Sequence, residues 1–148
     1  MILLVSRIFA GSSPFGKVIL LLGAVTMVLG ALLALAATNL KRTLACSSVS
    51  QIGFIMVGLG CGQILSSLSG GEEAAALAFA GALLHAVNHS SIKLALFLCA
   101  GVVASEAGSL RFDDIRGFGR KKPGFCLLFL FGCLAIGGVP LFGGYLSK

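Results

Sequence analysis

Residues 77–103 read LAFAGALLHAVNHSSIKLALFLCAGVV, an apolar run long enough for a helix and interrupted by only a few polar side chains. Among these, His85, His89 and Lys93 follow one another in steps of four residues. Residues four apart lie on the same face of an α-helix, one turn from each other. Titratable groups are expensive inside a membrane-like segment and usually serve function there. The spacing therefore predicts a ladder of proton-carrying groups along one side of a membrane helix.

The composition of the chain is that of a membrane protein. Of its 148 residues 57% are hydrophobic and only 11% are charged, and the mean hydropathy is +1.06. A soluble domain carries about 25% charged residues. The net charge of +6 does not indicate nucleic-acid binding, because the basic residues lie in short loops and form no stripe interleaved with aromatic residues.

The predicted fold is all-α, a fragment of a polytopic transmembrane helix bundle that forms a single partial domain over residues 1–148. About four segments are apolar enough to span a bilayer, namely 18–38, 43–68, 74–104 and 124–146. Residues 1–10 lack the features of a secretory signal and are interpreted as the remnant of a preceding helix. The fourth segment contains Pro140 and several glycines. It is read either as a discontinuous helix beside an ion route or as a helix that ends in a Pro-Gly turn.

The loops predict the orientation of the chain in the membrane. Loops 39–42 and 106–123 are basic, and they share one side if the two segments between them both span. The positive-inside rule places both in the cytoplasm and the acidic loop 69–73 outside. We expect a multi-pass protein of the inner (plasma) membrane, with the lipid bilayer as one partner.

Four further polar residues precede the ladder. Ser47, Ser50 and Gln51 are predicted on one side of the second span, where they either hydrate a proton path or form interhelical hydrogen bonds. Lys41 is either a positive-inside anchor or the inner mouth of the path. Successive ladder positions are roughly 6 Å apart along the helix, so bridging waters are expected between them.

The sequence predicts no cofactor and no metal in this chain. Five cysteines lie in apolar runs without C-x-x-C or histidine-paired spacing, and they are read as small reduced hydrophobic residues. No nucleotide-binding, haem-binding or nucleophile motif is present in the sequence.

Three ordered blocks resemble a known superfamily. Residues 39–54 (NLKRTLACSSVSQIGF), 85–98 (HAVNHSSIKLALFL) and 138–148 (GVPLFGGYLSK) resemble signatures of the antiporter-like membrane subunits of respiratory complex I. The superfamily also includes subunits of membrane-bound hydrogenases and of multisubunit Na⁺/H⁺ antiporters. The resemblance runs over essentially the whole chain.

The resemblance implies a proton-translocating subunit. It assigns the central polar axis to His85, His89 and Lys93, and it gives Lys148 the role of a gate near the outward exit. From composition alone Lys148 is an interface lysine at a chain end. Asn39 stands where the family often has an acidic residue, so an ion pair with Lys41 is absent.

The function expected from the resemblance is that of a fragment of a subunit in an NADH:quinone oxidoreductase-like or hydrogenase-like complex. Electron transfer would be carried by other subunits, so whether this chain counts as part of an enzyme is open. The alternatives are a subunit of a multisubunit antiporter that exchanges Na⁺ for protons, or an inactive truncated remnant. Other membrane subunits are the expected protein partners.

Overall fold

The computed structural model describes residues 13–140 and 143–146. This part of the chain forms, in order, the helices α1 (Ser13–Leu35), α2 (Leu40–Leu65), α3 (Glu72–Ala107), α4 (Phe118–Lys121), α5 (Pro123–Gly137) and α6 (Gly143–Leu146). The all-α prediction is confirmed, because α1, α2 and α3 are each long and apolar enough to cross a membrane and α5 is a shorter apolar helix. The predicted remnant helix 1–10 and Lys148 lie outside the described residues.

The ends of α1, α2 and α3 differ from the predicted spans by two to five residues. Capping of the backbone fixes two of these ends. The side chain of Asn39 accepts a hydrogen bond from the Lys41 amide at 2.9 Å and so starts α2. Gly108 has a φ of 67° and ends α3 in the left-handed conformation that favours glycine.

α1 and α2 pack against each other through glycines. These recur every seven residues, at Gly16, Gly23 and Gly30 of α1 and at Gly53 and Gly60 of α2. A Cβ atom at Gly53 would lie 2.5 Å from the backbone nitrogen of Met27, so the two backbones touch. Small residues permit this close approach between membrane helices. The other side of α1 is exposed and apolar, as Leu21 (65% exposed) and Leu32 (58% exposed) illustrate, which suits a face toward lipid.

The core of the bundle lies between α2 and α3 and is closed by α5. Leu40 and Leu44 of α2 are buried against Leu96 and Ala100 of α3. α5 crosses this cluster at Gly132, where a Cβ atom would lie 2.7 Å from a methyl carbon of Leu96. This packing fixes the face of α3 that carries the polar ladder toward α2 and α5.

The two basic loops meet at one end of the bundle. The amide of Leu40 donates to the carbonyl of Leu110 at 2.9 Å, and the amide of Phe112 donates to the carbonyl of Thr38 at 3.2 Å. The prediction that loops 39–42 and 106–123 share a side is thereby confirmed.

The fourth predicted segment is broken. α5 has 15 residues, roughly 22 Å as a helix, which is shorter than a bilayer core. It ends at Gly138, whose φ is 79°, and the chain becomes helical again in α6. The discontinuity predicted within 124–146 is confirmed, and the break falls at the glycine pair that begins with Gly137.

Candidate functional site

Lys93 is buried in the bundle, with only 5% of its surface exposed. Its ammonium donates one hydrogen bond to the carbonyl of Leu44 at 2.7 Å and another to the hydroxyl of Ser47 at 2.6 Å. Both acceptors belong to α2, so the side chain turns into the protein instead of reaching for the membrane surface. Within 13–140 and 143–146, no carboxylate lies at ion-pair distance from this ammonium. Dipoles of α2 therefore stabilise the charge in place of a counter-ion.

His85 lies two turns before Lys93 and is equally buried, at 4% exposure. Its Nε2 is 2.9 Å from the side-chain oxygen of Gln51. Because an amide oxygen only accepts, Nε2 carries the proton in this arrangement. The edge of Phe54 packs on the imidazole with ring centroids 4.9 Å apart. Gln51 and Phe54 thus hold the histidine in one orientation from α2.

His89 occupies the turn between the two. Its ring is stacked on that of His85, with centroids 6.2 Å apart and an interplanar angle of 18°. This stacking confirms that the four-residue spacing places the side chains on one face. The Nε2 atom of His89 is buried and has no hydrogen-bond partner among the residues that the structure describes. A buried polar nitrogen without a protein partner is a site at which water is expected to bind.

A cavity of about 10 Å³ adjoins the two histidines. This is about the space that one water molecule requires. The polar side chains that line the cavity are Gln51, His85, Asn88 and His89. The cavity adjoins both rings and therefore lies beside two steps of the ladder.

The broken fourth segment closes the other side of this cavity. Ile136 near the end of α5 and Gly144 of α6 both line it. Gly144 is packed so closely that a Cβ atom there would lie 1.9 Å from the carbonyl oxygen of Ala135. The helix break therefore lies directly beside His89, and only glycine fits at its tightest point.

The structure separates residues that the sequence grouped together. Ser47 and Gln51 face the ladder, but Ser50 donates to the carbonyl of Met27 in α1 at 2.9 Å. The prediction that all three lie on one side of the span is therefore wrong for Ser50, which takes the interhelical role left open for it. Lys41 is exposed at the start of α2 and its side chain lies outside the ladder.

One partner of the site has no signature in the sequence. The carbonyl of Leu44 accepts hydrogen bonds from Lys93 and from the hydroxyls of Ser47 and Ser48. Every residue carries such a carbonyl, so residue types alone do not identify this acceptor. The serine pair beside it is the only local signal, since serines favour bonds to the preceding helical turn.

Comparison with known proteins places the chain among membrane antiporter-like subunits. Residues 1–148 match the family described as NADH:quinone oxidoreductase/Mrp antiporter, TM. The chain is 36% identical over 140 residues to the putative antiporter subunit mnhA2 of Staphylococcus haemolyticus, covering 93% of this chain and 17% of that protein. It is 35% identical over 150 residues to formate hydrogenlyase subunit 3 of Escherichia coli, covering 99% of this chain and 24% of that protein. The chain thus spans about a fifth of the length of these relatives.

Proposed function

The chain belongs to the NADH:quinone oxidoreductase/Mrp antiporter family of transmembrane proteins, and from this premise we propose that it relays protons within a membrane complex. The observation that carries the proposal is the file formed by Lys93, His89 and His85, in which Lys93, His85 and the Nε2 atom of His89 are buried. Charged or titratable groups on a lipid-facing side would snorkel or be absent, whereas these groups point into the protein.

The relay occupies the middle of α3, from Lys93 through His89 to His85. Lys93 holds a proton at Nζ, and two of its three donors are bound by α2. His89 exchanges a proton with the lysine through water, since one helical turn separates them. Imidazole has two ring nitrogens, so it can take up a proton at one and release a proton from the other.

The step from His89 to His85 uses the small cavity that adjoins both rings. One water there bridges the open Nε2 of His89 and the polar atoms around His85. Gln51 then holds His85 in one orientation, so that the ring receives the proton in a defined geometry. A change of charge at a neighbouring buried group alters the proton affinity of the whole file, since coupled sites titrate together.

We infer that the complex is of the NADH:quinone oxidoreductase or hydrogenase type, with redox chemistry in other subunits. Similarity to formate hydrogenlyase subunit 3 supports this assignment. In this arrangement the basic loops 39–42 and 106–123 face the cytoplasm of the inner membrane. Lys148 acts as the outward gate of the proton path, and Lys41 is a candidate for its inner mouth.

The second candidate function is a subunit of a multisubunit Na⁺/H⁺ antiporter, favoured by the similarity to mnhA2. The same polar file would serve it without redox partners. A sodium gradient distinguishes the two functions in vesicles held at zero membrane potential. When Na⁺ is added outside, an antiporter subunit exchanges entering Na⁺ for leaving protons and makes the interior alkaline, whereas a redox-coupled subunit does not.

The proton relay is tested by conduction through the purified chain in proteoliposomes. A potassium diffusion potential drives protons inward, and an enclosed pH dye reports the rate. We expect Lys93→Met to lower the rate at least about tenfold, because it removes a proton carrier from the file. The control is Lys17→Met, which removes an exposed lysine from the first turns of α1 and leaves the rate unchanged.

Two results contradict the relay. Equal rates for wild type and Lys93→Met would show that the lysine carries no protons. A wild-type rate no higher than that of protein-free vesicles would favour the inactive remnant.

A further inference from the structure

Two adjoining depressions lie at the end of the bundle that carries the basic loops. The first is an apolar groove of about 210 Å³ between α3, α4 and α5, with Val103, Phe125 and Phe129 among its walls. The second is a polar basin of about 480 Å³, lined by acidic and basic side chains of the loops. Ile115 and Phe118 line both, so the groove and the basin adjoin each other.

The groove lies at the depth where a lipid headgroup meets its acyl chains. Val103 is one turn from the end of α3 at Ala107. Phe125 and Phe129 lie in the first two turns of α5, so the groove reaches roughly 9 Å into the bundle from the loops. The edge of Phe118 packs on Phe125 with ring centroids 5.8 Å apart, and α4 thereby forms the rim between groove and basin.

The charge at this end of the molecule is strongly positive. Segments 39–42 and 106–122 together hold seven basic and three acidic residues. The helix ends at the opposite side of the bundle carry Glu72, Glu73 and Lys17. Lys122 pairs with Glu106 within the basin, and Arg116, which pairs with the exposed Asp113 at 3.8 Å, and Lys121 also line the depression.

An occupant of this surface must join an apolar chain to a negative head. The groove is apolar and lies at the loop end of the bundle, so an acyl chain that enters it leaves its charged head among the basic loops. Clusters of basic side chains at the ends of membrane helices attract anionic lipid headgroups.

We propose that this surface binds one anionic phospholipid, with an acyl chain in the groove and the phosphate between Arg116 and Lys121. The apolar walls alone would hold any lipid. The two cations select for negative charge, and the neighbouring Glu106 and Asp114 keep the phosphate on the side of Arg116 and Lys121 by repulsion.

The test uses tryptophan fluorescence, because the chain contains no tryptophan. Phe125→Trp places a reporter in the groove, and Leu130→Trp places a matched reporter on the exposed apolar face of the same helix. Each variant is reconstituted into nanodiscs with brominated phosphatidylglycerol or brominated phosphatidylcholine at equal mole fraction. We expect the ratio of quenching by the two lipids to be roughly threefold higher at position 125 than at position 130.

The charge dependence gives the second measurement. In the Phe125→Trp background, the double substitution R116Q/K121Q should lower the ratio of quenching by the two brominated lipids to its value at position 130. The substitution K17Q should leave this ratio unchanged. A ratio that is equal at the two positions, or that survives R116Q/K121Q, overturns the proposal. Absence of quenching by either lipid at position 125 also overturns it, since polypeptide then covers the groove.

A second reporter guards against misfolding. Phe129→Trp probes the inner end of the same groove and must give the same ratio as Phe125→Trp. If one variant loses its helical circular dichroism, the quenching ratio is taken from the other variant. Different quenching ratios in two folded variants count against a lipid in the groove.

Discussion

The hydrogen bond between Lys93 and Ser47 predicts a measurable coupling between the two side chains. Ser47→Ala removes an acceptor 2.6 Å from a buried ammonium. Hydrogen bonds to charged groups contribute about 1.5–3 kcal/mol in proteins, while interhelical bonds in membranes average about 0.6 and reach about 1.7 kcal/mol. Because this donor is charged and buried, we expect Ser47→Ala to lower the free energy of unfolding by about 1.5 kcal/mol.

Ser47→Ala should lower the free energy of unfolding by less when the Lys93 ammonium is absent. In the Lys93→Met background, Ser47 retains only its bond to the Leu44 carbonyl at 3.0 Å, and we expect a cost of about 0.5 kcal/mol or less. The difference, about 1 kcal/mol, is the coupling energy of the pair. Lys93→Met alone should be close to neutral for stability, because an apolar side chain of similar volume replaces a buried charge.

The measurement is equilibrium unfolding by sodium dodecyl sulfate in mixed micelles, followed by far-UV circular dichroism. Ser48→Ala is the matched control, since its hydroxyl also bonds the Leu44 carbonyl at 3.0 Å. It should have the same small effect in both backgrounds. A coupling energy below about 0.3 kcal/mol for Ser47 is within the scatter for independent sites and would show that the two side chains do not interact.

Two further predictions concern helix packing and the orientation of the ladder. Gly53→Ala should destabilise the chain by about 1–3 kcal/mol in the same unfolding assay, because the added methyl group meets the α1 backbone at 2.5 Å. Gly81→Ala is the control and should be neutral or slightly stabilising, because Gly81 has open space around it. A smaller effect at Gly53 than at Gly81 would contradict the glycine contact. Gln51→Leu should slow proton conduction in proteoliposomes by about tenfold with little loss of helix, because it removes the partner that orients His85. Conduction at the wild-type rate in this variant would show that the orientation is unimportant.

The arrangement of the ladder was predictable because it is local. Residues four apart on a helix share a face whatever surrounds them, and the stacked rings of His85 and His89 lie as this geometry requires. The break in the fourth segment was predictable for the same reason, because Pro140 and the neighbouring glycines weaken a helix wherever they occur.

The role of the polar residues on α2 was not predictable from local pattern. Ser47 and Ser50 are three residues apart, yet one bonds Lys93 of α3 and the other bonds Met27 of α1. α2 lies between two neighbours, and a small rotation about its axis decides which serine meets which helix. That rotation is set by the glycine contacts of α1 on one side and by the leucine core on the other.

Composition and residue spacing are enough to identify a chain of membrane helices, to show which helix carries the titratable groups, and to place those groups on one face. Both follow directly from the order of residues and the period of the helix. The bond from Lys93 to a backbone carbonyl of α2 and the closure of the helix break over His89 follow instead from how the helices pack. Contacts between helices depend on how closely and at what rotation they pack, and the positions of glycines in neighbouring helices fix this jointly.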